Sequence, residues 1–121
     1  MGPISFHTVV IPSGQSVSST VRLNHGEVLI GLIMPSGWDS AVIGFQVTRD
    51  GTNFHNVKGS PYGGTYGFIS QAVDPNSYVV IDPVLTRGLR WFRLRSMTAL
   101  GADVNQTANR TIVIVSARTL R

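Results

Sequence analysis

The densest chemistry in this chain is the run Arg87-Gly88-Leu89-Arg90-Trp91-Phe92-Arg93-Leu94-Arg95. On an extended strand, Trp91, Arg93 and Arg95 fall on one face and Phe92 and Leu94 on the other. Arginine beside an aromatic ring can stack on bases or sugars, and it grips phosphates or carboxylates through its N–H donors. The same residue types serve protein interfaces, where Arg is enriched and Lys depleted. Nine of the ten basic residues are Arg, and Lys58 is the tenth. Nucleic-acid modules carry more lysine in a denser basic stripe, so the balance favours a protein interface. Arg87, Arg90, Trp91, Arg93 and Arg95 are therefore the candidate face for a protein partner or a ligand. Trp38 in PSGWDS, and Tyr62 and Tyr66 in the glycine-rich PYGGTYG, are the further aromatic candidates. Trp38 either offers a platform for a sugar or closes the end of a core, and the second use is the commoner.

Other chemistry is sparse. His7, His25 and His55 lie far apart, with no metal-ligand spacing among them. Asp50, Asn53 and Asn56 lack the calcium-loop pattern, because Gly51 follows Asp50 directly. Serines are common, but no G-x-S-x-G elbow occurs. PYGGTYG lacks the Gly-Lys-Ser/Thr of a phosphate loop. The six acids, Glu27, Asp39, Asp50, Asp74, Asp82 and Asp103, are scattered, and four of them flank predicted turns. Two sequons, at Asn105 and Asn109, are short enough to arise by chance. The expectation is a protein with no catalytic constellation, no metal site and no cofactor, and not an enzyme.

Composition narrows the class. At 121 residues, one domain is expected, spanning 1–121. Charged residues are 13% of the chain against about 25% in ordinary globular domains. Apolar residues are 42%, which excludes disorder as the main state. The mean hydropathy is +0.14. A chain this poor in charge cannot cover itself with it, so part of the surface is expected to meet copies of itself or a partner. The absence of cysteine excludes disulfides, thiolate zinc sites and cysteine nucleophiles. A formal charge of +4 is a weak electrostatic footprint, and no specific nucleic-acid role is expected. No apolar run reaches the ~18 residues of a membrane helix, and MGPISFHTVV reads as neither signal peptide nor myristoylation site. No membrane partner is expected.

The elements that must position these residues read as short strands. Thirteen glycines and six prolines punctuate runs of Val, Ile, Thr and aromatics. Strands are expected near 4–11, 16–23, 27–34, 41–49, 54–58, 65–70, 77–82, 90–96 and 110–118. In 16–23, Val17, Val21 and Leu23 should share one face. VLIGLIM and TIVIV are apolar on both faces and should be central strands, or strands covered by a neighbouring subunit. Asp50-Gly51, between FQVTR and TNFHNV, predicts a hairpin with a tight turn. At most a short turn of helix fits around 98–109. The fold class is all-β: an antiparallel β-sandwich or jelly roll of about eight or nine short strands. The termini, 1–11 and 116–121, are candidate arms.

The segments IPSGQSVSSTVRL, VLIGLIMPSGWDSAVIGFQVTRDGTNFHNV, YVVIDPVLTRGLRWFRLRS and NQTANRTIVIV occur in that order. Together they resemble small proteins encoded in the structural-gene regions of tailed bacteriophages and prophages. The resemblance spans nearly the whole chain and is most specific at Met34-Pro35…Trp38, at Phe45…Asp50-Gly51 and at Arg90–Arg95. It implies a virion component of the capsid decoration, or cement, type. Such a protein would sit on the capsid surface, with the major capsid protein and copies of itself as partners. The strands FQVTRDGTNF and WFRLR are also similar to those of discoidin-like and carbohydrate-binding jelly rolls. That second resemblance implies a receptor- or carbohydrate-binding module on a phage tail or fibre, with host polysaccharide as ligand. This chain is shorter than those modules and lacks their cysteines, and no ligand residues carry over.

Overall fold

The computed structural model describes residues 3–118. Eleven strands follow in order: β1 (Ile4–Ile11), β2 (Val17–Arg22), β3 (Glu27–Ile33), β4 (Val42–Thr48), β5 (Phe54–Asn56), β6 (Lys58–Gly59), β7 (Gly67–Phe68), β8 (Ser70–Gln71), β9 (Tyr78–Val80), β10 (Trp91–Met97) and β11 (Arg110–Arg118). One sheet has the order β1-β11-β3-β9, and the other β2-β10-β4-β5, with β8 also pairing β4. β6 and β7 form a separate two-stranded ribbon. All pairings are antiparallel. The strands pair from the outside inward, β1 with β11, β2 with β10, β3 with β9 and β4 with β5, and successive pairs alternate between the two sheets. That is the jelly-roll order, closed over one core.

The core lies between the sheets. Val9, Ile11, Leu29, Leu32, Ile112 and Ile114 come from the four-stranded sheet, and Val21, Ile43, Phe45, Phe92 and Leu94 from the other. Phe45 and Phe92 meet edge to face at 6.4 Å between ring centroids. The strands read as apolar on both faces, β3 and β11, are the two central strands of their sheet. The alternation of Phe92 and Leu94 against Trp91 and Arg93 also holds: the first two are fully buried and the others half-buried.

Four details depart from the sequence reading. A bulge between β2 and β10 sets Phe92 opposite Val21 but Arg95 opposite Val17, so Val17 shares the outer face with Arg95 rather than the core face with Val21. Ser18 turns inward instead, and its hydroxyl accepts the Leu94 N–H at 2.9 Å. The β4–β5 hairpin is present, but it is joined by the longer loop 49–53 rather than a tight turn. The Thr48 hydroxyl oxygen accepts the Gly51 N–H, and Asp50 accepts those of Thr52 and Asn53. The helical turns are a 3-10 turn at Pro61–Gly63 and α1 (Pro83–Thr86), where the Asp82 carboxylate caps Val84 N–H and Pro83 fills the first turn; none forms at 98–109. The expected strand 65–70 is divided between β7 and β8, which serve different partners.

Residues 4–11, a candidate arm, form β1, paired with β11 along its whole length. Residues 116–118 of the other candidate arm end β11. Residues 1–2 and 119–121 lie outside the described residues.

Phe92→Ala should lower unfolding stability by about 3–5 kcal/mol, because it empties the middle of the core. Urea denaturation of the variant, at unchanged m-value, checks this.

Candidate functional site

Strand alternation and pairing register give the sandwich two unlike outer faces. On the five-stranded sheet, Arg22, Trp91, Arg93 and Arg95 point outward, since Trp91 opposes Arg22, Arg93 opposes Thr20 and Gln46, and Arg95 opposes Gly44. The Arg22 guanidinium lies 4.1 Å from the Trp91 ring centroid. Gly51, at φ +80, brings the hairpin backbone against the same indole, where a Cβ would come within 2.9 Å of it. Arg93 stacks 3.7 Å from the Phe54 ring centroid, and its Nε donates to Gln46 Oε1 at 2.8 Å. Burial draws the pKa of Arg93 down.

Arg95 is tied more firmly. It donates from Nε to Asp103 Oδ1 at 2.8 Å and from a terminal nitrogen to the Gly101 carbonyl at 2.6 Å. It is only 8% exposed. Its role is to hold the 98–104 loop against the sheet, which removes it from the candidate docking face. Trp38 is removed as well: it is buried, with its indole N–H donating to the Ala41 carbonyl at 3.2 Å, and it closes an end of the core. Arg87 sits exposed at the C-cap of α1.

Tyr62 and Tyr66 are exposed on the loop between β6 and β7. Tyr62 donates its hydroxyl to Asp82, which lowers the pKa of that carboxyl and raises that of the phenol. Lys58 Nζ lies 5.5 Å from the Tyr66 ring centroid. Among the described residues no ring contact joins any two of Trp38, Tyr62, Tyr66 and Trp91. The sequence candidates thus divide into separate places rather than one platform.

What converges instead is a cleft of about 340 Å³, lined by Arg22, Val47, Thr48, Arg49, Gly88, Arg90 and Trp91. Arg90 and Trp91 were legible as candidates. Arg22 and Arg49 were missed, because they come from distant segments that only sheet pairing brings beside Trp91. A second hollow of about 330 Å³ is lined by Ser40, Ala41, Val42, Ala72, Val73, Met97, Thr98 and Val104, none of them ionisable.

The outer face of the four-stranded sheet is of opposite character. Register places Ile4, Phe6, Thr8 and Val10 of β1 outward, with Thr111, Val113, Val115 and Ala117 of β11. Val28, Gly31 and Ile33 of β3 and Tyr78 and Val80 of β9 complete the face. None of these side chains is charged. Phe6 is 64% exposed and Val80 73%. The Tyr78 ring lies across Gly31, where a Cβ would meet its hydroxyl oxygen at 2.5 Å, so a larger residue there would displace the ring. Ile4, Phe6, Ile33, Tyr78 and Val80 together expose on the order of 500 Å² of apolar side chain, near the top of the range for the largest patch on a monomer. The signal for this face was present in the apolar-both-sides strands, but its residues were not singled out.

Comparison with known protein families, curated proteins and solved structures finds no match for this chain. The chemistry of the site is therefore read from the geometry itself. Ser116, Glu27 and His7 meet at one end of the four-stranded sheet: the Ser116 hydroxyl donates to Glu27 Oε2 at 2.9 Å, and His7 Nε2 lies 3.6 Å from Oε1. The carboxylate stands between hydroxyl and imidazole, so the histidine is not placed to activate the serine. Burial works against ionisation of Glu27. Hydrogen bonds from Asn24 N–H, Ser116 and Ser5, with the His7 charge, outweigh it and hold the pKa low. This cluster ties β1, β3 and β11 together. No group of three metal-ligating side chains occurs among the described residues.

Two predictions separate structural from free arginines and acids. Arg95→Ala should cost about 2 kcal/mol in chemical denaturation, whereas Arg90→Ala should stay within about 0.5 kcal/mol of the parent. Asp39, Asp50 and Asp103 have pKa values held low by Thr107 N–H, Asn53 N–H and the Arg95 side chain respectively. With Glu27 and Asp82 they bind fewer protons folded than unfolded. Their contribution is complete above the ordinary carboxylate range, about pH 4, and is lost as pH falls through their folded values. Thermal melts should therefore be flat between about pH 7 and 5 and fall steeply below about pH 4.

Proposed function

We propose that this chain is a non-enzymatic structural protein that docks through the uncharged outer face of its four-stranded sheet. The partner is a matching apolar surface on a larger protein assembly. The resemblance of the sequence to tailed-phage virion proteins supports a bacteriophage capsid as that assembly and its major capsid protein as the partner. The chain would then decorate and stabilise the shell from its outer surface.

One observation carries this reading: the outward positions of β1, β11, β3 and β9 hold no charged side chain. A typical interface buries about 800 Å² on each side with a core depleted of charge, and this face offers an uncharged centre of that kind. Such a face gains nothing from a charged partner, since desolvating unmatched charges opposes docking. Repetition over a symmetric shell adds avidity to a contact of modest area.

A second reading, a receptor- or carbohydrate-binding module on a phage tail or fibre, is favoured by the exposed Tyr62 and Tyr66 rings on one loop. Loss of host-polysaccharide binding in Tyr62→Ala and Tyr66→Ala variants, with capsid binding absent throughout, would favour it over decoration.

The deciding measurement is binding to purified capsids assembled without this chain, read as copies retained per particle. The parent should bind in numbers commensurate with the capsid subunits. Phe6→Asp should weaken binding about thirtyfold or more while leaving the far-ultraviolet spectrum and melting cooperativity unchanged. Unchanged binding of Phe6→Asp and of Val80→Asp would overturn the assignment of this face. Self-association that Phe6→Asp removes, without capsid binding, would give the face to a second copy and overturn capsid docking.

A further inference from the structure

We infer that the cleft between the ends of β2, β4 and β10 is a binding site for a multivalent oxyanion bearing phosphate or carboxylate groups. It lies on the opposite sheet from the proposed docking face and does not depend on that reading.

Three arginines, Arg22, Arg49 and Arg90, line a space of about 340 Å³ together with Trp91, Thr48, Val47 and Gly88. No Asp or Glu is among the lining residues. The ion pairs of the described residues engage Arg95, Arg110 and His7, and none engages these three arginines. No hydrogen bond of the Arg22 or Arg49 side chain occurs among the described residues, and the Arg90 side chain uses only Nε, in a 3.4 Å contact with the Leu23 carbonyl. Each guanidinium carries five N–H donors, so most of the donors around the cleft are open.

The neighbouring acid forms no ion pair with these arginines. Asp50 follows Arg49 directly, but its carboxylate is turned into the hairpin loop. Oδ1 accepts from the Thr48 hydroxyl at 3.2 Å and from the Thr52 and Asn53 N–H groups at 2.8 Å, and Oδ2 accepts from Asn53 Nδ2 at 2.8 Å. The Asp50 carboxylate is therefore committed to the turn rather than to Arg22, Arg49 or Arg90.

The arrangement is also prepared. Arg22 and Trp91 are opposed across β2 and β10, and stacking on the indole holds the Arg22 guanidinium with its donor edge unused. Holding like charges together without a counter-ion opposes folding, and a bound oxyanion relieves that repulsion while accepting paired N–H bonds. At Gly88 a Cβ would meet nothing within 4 Å, so this wall of the cleft is open. Exposed cations are screened within a Debye length of about 8–10 Å at ordinary ionic strength, so a single charge on the ligand would bind weakly and several are needed.

The test is calorimetric titration of the full chain at low ionic strength with pyrophosphate and, separately, with citrate. Saturable binding of one equivalent of either is expected. Arg49→Gln should weaken it about tenfold, and Arg22→Gln by a similar factor. Gly88→Glu places a carboxylate among the arginines without a clash and should abolish binding while leaving the melting temperature near the parent's. Arg87→Gln, outside the cleft, should change nothing. Binding of pyrophosphate alone assigns the site to phosphate groups, citrate alone to carboxylates, and both to multivalent oxyanions at large. Phe6→Asp should bind the anions as the parent does, which separates this site from the docking face. Absence of saturable binding for both probes, or binding indifferent to Arg49→Gln and Gly88→Glu, would overturn the inference.

Discussion

A strand has two faces, and a two-layer sandwich has one core to receive them. Everything about this protein follows from how its strands divide side chains between that core and the outside. In the five-stranded sheet the division is ordinary: Phe92, Leu94, Phe45 and Ile43 go in, while Arg22, Arg93 and Gln46 go out. In the four-stranded sheet the outward residues are apolar as well. One core cannot bury both sides of that sheet, so Phe6, Tyr78 and Val80 are left at the surface. The low charge content of the chain is concentrated in its effect, because it strips charge from one whole face rather than thinning it everywhere.

The arginines show the complementary principle, that a residue type acquires its role from its neighbours. Arg95, one turn of the pleat from Arg93, is buried against Asp103 and the Gly101 carbonyl and works as a strut. Arg93 is half-buried between Gln46 and Phe54. Arg22, Arg49 and Arg90 meet no carboxylate and face an open cleft. Five chemically identical groups thus divide between support and availability. The deciding variable is how many acceptors lie within reach.

Polar side chains do much of the joining where strands alone cannot. Gln106 is buried in the 98–109 segment. It accepts from Asp39 N–H at 2.9 Å and from Arg110 Nε at 3.1 Å, and it donates to the Ser96 hydroxyl at 2.9 Å. Asp39 in turn accepts from Thr107 N–H and, at 3.4 Å, from Arg110. This network fastens the loop carrying Trp38 to β10 and β11, and with it the end of the core that Trp38 closes. It also explains why that segment holds an irregular path: its polar groups are satisfied by partners far away in sequence.

The sequence by itself determined the long strands, the sandwich class and the central places of β3 and β11. Each of these follows from period-two alternation, turn residues and apolar runs, which are local. It also marked Arg90 and Trp91 as chemistry worth locating. Only the tertiary structure decided that Val17 leaves the core face, because a bulge is a property of two paired strands and not of one. The same holds for the burial of Arg95 and Trp38, and for the arrival of Arg22 and Arg49 beside Trp91. Side-chain direction is set within a strand, but partners come from residues tens of positions away, and only register brings them to one place.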